Sequence, residues 1–450
     1  MGQLQSLVED DVVSCDDPEH EPTKSEIRQE ETHRLVECQK DLFKTGKTFP
    51  IEYRLSLLNK LRCLFETNIK EFSQALAEDL KCSRDVLEKT HFKCVENEFK
   101  VVFDRLNELK QASNSSEIIF EPAGSVLILG TFTYPITACI IPAMAALAAG
   151  NVVVIKPSEL APKTAAALSE TFAEAFEEDQ LAVIPGDQWT AKELLNEAWD
   201  HILFVGPHRV AKFVLSAAAQ RLTPVTVELL GKSAVLVLPS ADLNAVAKDI
   251  VQNKWNANGE LLHAIDYAIC YSEEDVHSLV AALSHEAVAV FGENPEESAN
   301  FKRVLNHQMF DKIQNVLTKT EGDLLWNPPV GFDSRTEYYI APYVYKVDED
   351  DVLLKEEILG PILPILLVES TQDSIDFINK YGEKPSNVRI YGSDQERLDK
   401  LQRQIRAERV TVVNGEKVVK YVEQNTMTTP TLQAADLFER FSRRKRISIE

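Results

Sequence analysis

From about Val126 to Val413 the chain alternates short apolar runs with longer stretches of helical spacing, and few folds accommodate such a series. Val126–Leu129, Asn151–Ile155, Ala182–Ile184, His201–Val205 and Val225–Glu228 are too short for helices and rich in residues that favour strands. Pro135–Ala149 and Ala161–Phe176, lying between them, predict helices. Strand–helix–strand units of this kind build a mostly parallel sheet with helices on its faces, the usual frame for a nucleotide. A second series runs from Ala234 through Ile265–Tyr271 to Val410–Val413, with breaks at Gly360-Pro361 and Pro364. Upstream, from about Arg34 to Leu109, Leu58, Leu61, Phe65, Phe72, Leu76 and Leu80 recur at helical spacings and predict long amphipathic helices packed on a core.

Charge narrows the function classes. A formal net charge of −23 over 450 residues offers no basic face to a phosphate backbone, so a nucleic-acid partner is excluded. The longest apolar stretch, around Ile136–Ala149, is shorter than the ~20 residues of a membrane-spanning helix. Seven cysteines without CxxC pairing and nine histidines without HxxxH or HxxH spacing predict neither a disulfide framework nor a metal site. Residues 1–31 carry ten acidic side chains against two basic ones and little periodic apolar content, which predicts a flexible tail. That tail opens Met1-Gly2-Gln3-Leu4-Gln5-Ser6, a pattern that fits N-myristoylation at Gly2. One such acyl chain binds membranes only marginally, and the acidic residues after it oppose anionic lipid.

One carboxylate stands out. In Pro224-Val225-Thr226-Val227-Glu228-Leu229-Leu230-Gly231-Lys232-Ser233, an alternating strand delivers Glu228 to the point where the chain turns. Open α/β sheets expose working groups at such strand ends, although a solvated charge would read the same way locally.

With these stretches in view, the chain resembles the aldehyde dehydrogenases, in particular their class 3 branch, over roughly residues 34 to 442. The matching stretches are Glu121-Pro122-Ala123-Gly124 with Gly130-Thr131, Gly150-Asn151 running into Lys156-Pro157-Ser158-Glu159, Thr223–Glu228, Tyr339-Ile340-Ala341-Pro342, and Glu356-Glu357-Ile358-Leu359-Gly360-Pro361. The resemblance implies an α/β aldehyde dehydrogenase-like fold: a Rossmann-type nucleotide-binding domain, an α/β catalytic-type domain and a small oligomerisation element. The expected division is an acidic tail over 1–31, a nucleotide-binding domain over 32–228 and a catalytic-type domain over 229–413. An oligomerisation segment with a basic tail follows over 414–450, and the oligomerisation element also draws on residues near 108–122. NAD or NADP is the implied cofactor, with Lys156 and Glu159 on the adenosine ribose, Gly206 at the pyrophosphate turn and Glu357 on the nicotinamide ribose.

The same resemblance locates departures. The family's Asn-Ser-Gly-Gln-Thr-Cys segment falls on Ala257-Asn258-Gly259-Glu260-Leu261-Leu262, in a register fixed by Gly259 and Asp266-Tyr267, so Leu262 occupies the nucleophile position. An alkyl chain forms no thiohemiacetal. The oxyanion donor, an asparagine in the family, is Thr133, and the second glycine of the Glu-Leu-Gly-Gly turn is Leu230. Glu228 retains the place of the general base. Pro207, where the family keeps a serine, brings no N–H to the start of a helix that would cradle pyrophosphate. Cys139 and Cys270 read as packed thiols. Gly415–Leu432 replaces the family's glycine-rich funnel loop, and Arg443-Arg444-Lys445-Arg446 ends the match as a basic cluster.

The expectation is therefore a catalytically impaired family member acting as a binding or scaffold protein, with weak or vestigial NAD(P) binding and a doubtful aldehyde substrate. A homodimer in the cytoplasm is expected, with peripheral membrane contact if Gly2 is acylated. The alternatives are a working NAD(P)-dependent aldehyde dehydrogenase with another nucleophile, and a membrane-attached adaptor using Gly2 and the basic cluster.

Overall fold

A computed structural model describes residues 24–81, 87–112, 118–229, 232–256, 258–260, 264–380, 385–415, 417–422 and 432–446. Three helices open the fold: α1 (Lys24–Lys44), α2 (Ile51–Leu80) and α3 (Lys93–Ala112), the last preceded by a π-helical turn at Glu88–Phe92. The stripe expected on α2 is buried in full, since Leu58, Leu61, Phe65, Phe72, Leu76 and Leu80 all lie in the core. Helix α1 corrects one expectation: helix begins at Lys24, so residues 24–31 are not part of a tail, and residues 1–23 lie outside the described set. Arg28–Glu31 are exposed there, whereas Leu35 and Val36 are buried. Propagating an existing helix outward costs far less than nucleating one, which explains its reach into a polar segment.

The alternating series then forms. Strand β1 (Ile118–Pro122) leads to β2 (Ser125–Leu129), α4 (Thr137–Ala149), β3 (Val152–Lys156), α5 (Pro162–Ala175), β4 (Leu181–Val183), α6 (Gln188–Leu195), β5 (His201–Gly206), α7 (His208–Ala219) and β6 (Val225–Leu229). Strands β2 to β6 make a five-stranded, fully parallel sheet in the order β4-β3-β2-β5-β6. Every residue of α4 is buried, which its run of alanines permits by allowing close approach on all sides. Chain order reverses between β2 and β5, the switch point at whose carboxyl side open α/β sheets bind ligands.

The second series follows as β7 (Ser233–Val237), α8 (Leu243–Ile250), β8 (Ile265–Cys270), β9 (Asp323–Trp326), β10 (Tyr343–Val347), β11 (Ile362–Leu367), β12 (Val388–Tyr391), β13 (Arg409–Asn414) and β14 (Lys417–Val422). They form one eight-stranded sheet in the order β14-β13-β12-β7-β8-β11-β10-β9. Its six inner strands are parallel and its two edges antiparallel. Strand β14 folds back on β13 from Asn414 to Lys417, with Gly415 at φ +58° in the turn. Lys417–Val422 thus sit on this sheet's edge. The basic cluster forms β15 (Ser442–Arg446), which pairs antiparallel with β1 as a separate ribbon.

Candidate functional site

The carboxyl edge of the five-stranded sheet carries the candidate residues. Glu228, paired in register with Val205 on β5, is buried at 2% exposure, so it is no solvated surface charge. From α3, half-buried Cys94 lies within electrostatic reach of it, and so do Tyr134 and Arg409. Burial, then the carboxylates of Glu98 and Glu228, push the Cys94 thiol up, away from the thiolate form. Tyr134 is likewise held neutral, first by burial and then by Glu228.

Thr133 follows β2 across the switch point from Gly206 and is buried at 2% exposure. Its Oγ1 lies 3.3 Å from Thr131 Oγ1, so the two hydroxyls share a hydrogen bond. Beyond it, the His91 ring packs 5.7 Å from Tyr134, and its Nδ1 is 3.1 Å from Thr137 Oγ1. Burial, with Lys302 nearby, drives His91 down to about 3, so the imidazole is neutral.

Residues 258–260 form a turn whose Glu260 meets Lys302, the ammonium that also acts on His91. Asn258 and Gly259 both have left-handed backbone, at φ +56° and +69°. A Cβ on Gly259 would stand 2.2 Å from the Gly360 carbonyl oxygen, so only glycine fits between the two chain segments. Glu260 is fully buried and pairs with Lys302 Nζ at 2.5 Å, while its other oxygen accepts from the Leu305 N–H at 3.3 Å. Sequence reasoning missed this pair and His91. A charged Glu260 where the family keeps glutamine was the one signal, and Lys302, 42 residues on, has no spacing relation to it. Leu262, Leu230 and Gly2 lie outside the described residues. Cys139 and Cys270 are fully buried, and burial pushes both thiols up to about 12.

The nucleotide candidates fall into two groups. Lys156 ends β3, is almost wholly buried, and donates to half-exposed Glu159 at 2.5 Å. An ammonium and a carboxylate held side by side at a strand's carboxyl end are suited to a ribose diol. Across the cleft, Glu357 reaches His208 Nδ1 at 3.6 Å, and its backbone carbonyl accepts from Lys312 Nζ at 2.5 Å. His208 opens α7, so this contact ties the first helical residue after Gly206-Pro207 to the second sheet's side of the molecule. Pro207 caps α7 through its carbonyl, which accepts from Val210 and Ala211, and contributes no donor of its own. A Cβ on Gly206 would stand 2.7 Å from the Phe204 ring. The residues present thus fit the ribose end of a dinucleotide, and the helix start lacks one phosphate donor. Lys232, beyond Glu228, donates to the Leu353 carbonyl at 3.1 Å, and burial lowers it to about 8.

Among the described residues no cluster of three or more His, Cys, Asp or Glu side chains could hold a metal, and no helix is long and apolar enough to cross a membrane.

Comparison with known proteins agrees with the architecture. The model of the family described as "Aldehyde dehydrogenase family" matches residues 12–425. Mouse aldehyde dehydrogenase family 3 member B2 is 32% identical over 373 residues, covering 80% of this chain and 76% of that protein. Mouse "aldehyde dehydrogenase, dimeric NADP-preferring" is 32% identical over 387 residues, covering 82% of both. Among solved structures, the substrate-bound AldH of Staphylococcus aureus superposes with a TM-score of 0.81 at 24% identity, covering 93% of this chain and 94% of that one. The Mycobacterium tuberculosis aldehyde dehydrogenase complexed with NAD+ gives 0.78 at 20% identity, covering 94% and 90%. The parallel five-stranded sheet, the larger sheet beside it and the matched sequence together make this chain a member of the aldehyde dehydrogenase family.

Proposed function

We propose that this protein is a catalytically silenced aldehyde dehydrogenase, a binding or scaffold protein that still holds a nicotinamide nucleotide weakly. The observation that carries the reading is the register of the Asn258-Gly259 turn. Gly259 is the residue its close approach to Gly360 requires, which supports matching it to the family's glycine, and on that match Leu262 takes the place of the family's thiol. Losing the nucleophile of a cooperating set costs on the order of 10⁶ in rate. Glu228 then has no thiol at that position to deprotonate, and Thr133 offers a shorter donor than the family's amide.

A bound nicotinamide would supply a hydride acceptor, and Lys156, Glu159 and Glu357 are the side chains that would hold its riboses. Glu357 is already engaged by His208, and Pro207 withholds a donor, so binding is expected to be weak. The proposed division has the nucleotide-binding domain at 32–228, the catalytic-type domain at 229–413 and oligomerisation residues in 414–450. A cytoplasmic homodimer fits the relative named "dimeric", and acylation at Gly2 would add peripheral membrane contact. The test is NADH or NADPH formation from medium-chain and aromatic aldehydes, with nucleotide binding measured in parallel. Turnover that survives purification and is lost on Glu228→Gln would refute the silenced reading.

One observation favours a second reading, an active enzyme with a relocated thiol. Cys94 shares the electrostatic surroundings of Glu228, the residue that would take its proton. Nucleophilic thiols need a lowered pKa, and the surroundings of Cys94 act the other way. Activity abolished by Cys94→Ser would decide for this reading.

A further inference from the structure

Two lysines lie close together where β6 gives way to the larger sheet. Lys254, in the π-helical turn Val251–Trp255, is wholly buried, and its Nζ has no hydrogen-bond partner. Lys232, four residues past Glu228, is held by a neutral group, the Leu353 carbonyl, at 3.1 Å. The charged groups that act on Lys232 are Asp266 on β8, Lys254 itself, and Glu357 and Glu356 after the short helix Val352–Lys355. Asp266 already accepts from the Ser233 N–H at 2.9 Å, and Glu357 is engaged by His208. An amine taken out of water beside a second cation is disfavoured as its ammonium, and a lysine so placed is a nucleophile near neutral pH. Lys232 keeps partial exposure, so unlike Lys254 it is open to a small molecule.

We infer that Lys232 captures aldehydes covalently, as an imine. The inference deepens the silenced reading and rests on it for what is bound: an aldehyde that is not oxidised is there to be held. The step is redox-neutral and needs no co-reactant. The lone pair of the free amine adds to the carbonyl carbon, and the C–O π electrons move to oxygen. A proton passes from nitrogen to that oxygen, giving a carbinolamine. Its hydroxyl then leaves with the remaining N–H proton as water, and the C=N bond forms. Donation of one N–H to Leu353 fixes the nitrogen without engaging its lone pair. Water reverses the reaction, so the aldehyde is held and released rather than consumed.

Full-length protein with hexanal and cyanoborohydride tests this, since the reductant turns imines into stable secondary amines that peptide mass spectrometry locates. At pH 7.4 an amine titrating at about 8 is free in roughly one molecule in five, against roughly one in a thousand for an ordinary lysine. Lower basicity takes back part of that gain, so Lys232 is expected to label about tenfold faster than exposed Lys70 and Lys319. Its labelling should rise with pH to a midpoint near 8, which Lys254→Gln moves upward by removing the second cation. Labelling of Lys232 no faster than of Lys70 and Lys319, or a rate that climbs only alongside theirs, would overturn the inference. Both measurements are made on wild type and do not depend on a variant folding. NADH formed by the same preparation from NAD and hexanal would overturn the silenced reading, whereas the label decides the imine in either case.

Discussion

A threonine hydroxyl at position 133 reaches less far than an asparagine amide, and here it is already shared with Thr131 at 3.3 Å. For that reason Leu262→Cys alone should not restore oxidation. The new thiolate would meet no amide donor, and removing such a donor costs on the order of 10²–10³ in rate. Steady-state NADH production by the purified single variant checks this, and robust turnover would show that nucleophile loss is the only lesion. On the nucleotide side, the Lys156–Glu159 pair and Glu357 lead us to expect a dissociation constant in the high micromolar to millimolar range, about −4 to −6 kcal/mol. Thermal-shift titration with NAD and NADP should give a small upward shift, which Glu159→Ala abolishes without unfolding the protein, since that carboxylate is half exposed. At this scale much was legible in sequence, because Lys156, Glu159, Glu228 and Glu357 each sit in a short contiguous motif. Two things were not: that Glu228 is buried, and that His208 meets Glu357 from 149 positions away, as a local pattern carries no information about distant neighbours.

The turn at 258–260 behaves as one unit with Lys302 and the Gly360 segment. Lys302→Met should destabilise the fold by about 3–5 kcal/mol, because it strands the Glu260 carboxylate in a dry interior. The double variant Glu260→Gln/Lys302→Met should recover much of that loss, since a neutral amide can still accept from the Leu305 N–H. Urea midpoints of the two variants beside wild type measure the difference, and a double variant as unstable as the single one would contradict it. In this half of the chain the strand expected over Ile265–Tyr271 runs from Ile265 to Cys270, but Pro364, read as a break, lies inside β11, paired with Tyr345 on β10. The ion pair was not anticipated, and its two halves come from different loops. Helix α1 shows the converse failure: its polar start carries no amphipathic signal, and the packed part downstream holds it in helix.

For the molecule as a whole, two buried histidines set a lower bound on the pH of stability. His91 is driven down to about 3 by burial and Lys302, and His201 to about 4 by burial and Arg440. In the unfolded chain both titrate near 6.5. Below that pH the unfolded state binds protons that the folded state refuses, so stability is complete above about 6.5 and falls as pH drops toward 4. The denaturation midpoint followed from pH 7 to 4 should decline, and His91→Gln should flatten the decline; an unchanged slope would remove His91 from the account. The array of parallel strands was readable in the sequence because a repeating pattern over nearly three hundred residues leaves few alternatives. The order in which strands pair was not, since pairing depends on crossovers that periodicity does not encode. One product of that pairing bears on how the protein ages in solution. An open row of amides and carbonyls is a template for any extended segment, and β14 covers one such row on β13 while presenting Lys417 and Lys420 along its own length. That strand, β14, is an edge strand, turned back through Gly415 and paired on one side only, with β13. Were it to peel away, the ladder of β13 would be offered to a neighbouring molecule, so the first insoluble species on storage should nucleate at this flank of the larger sheet.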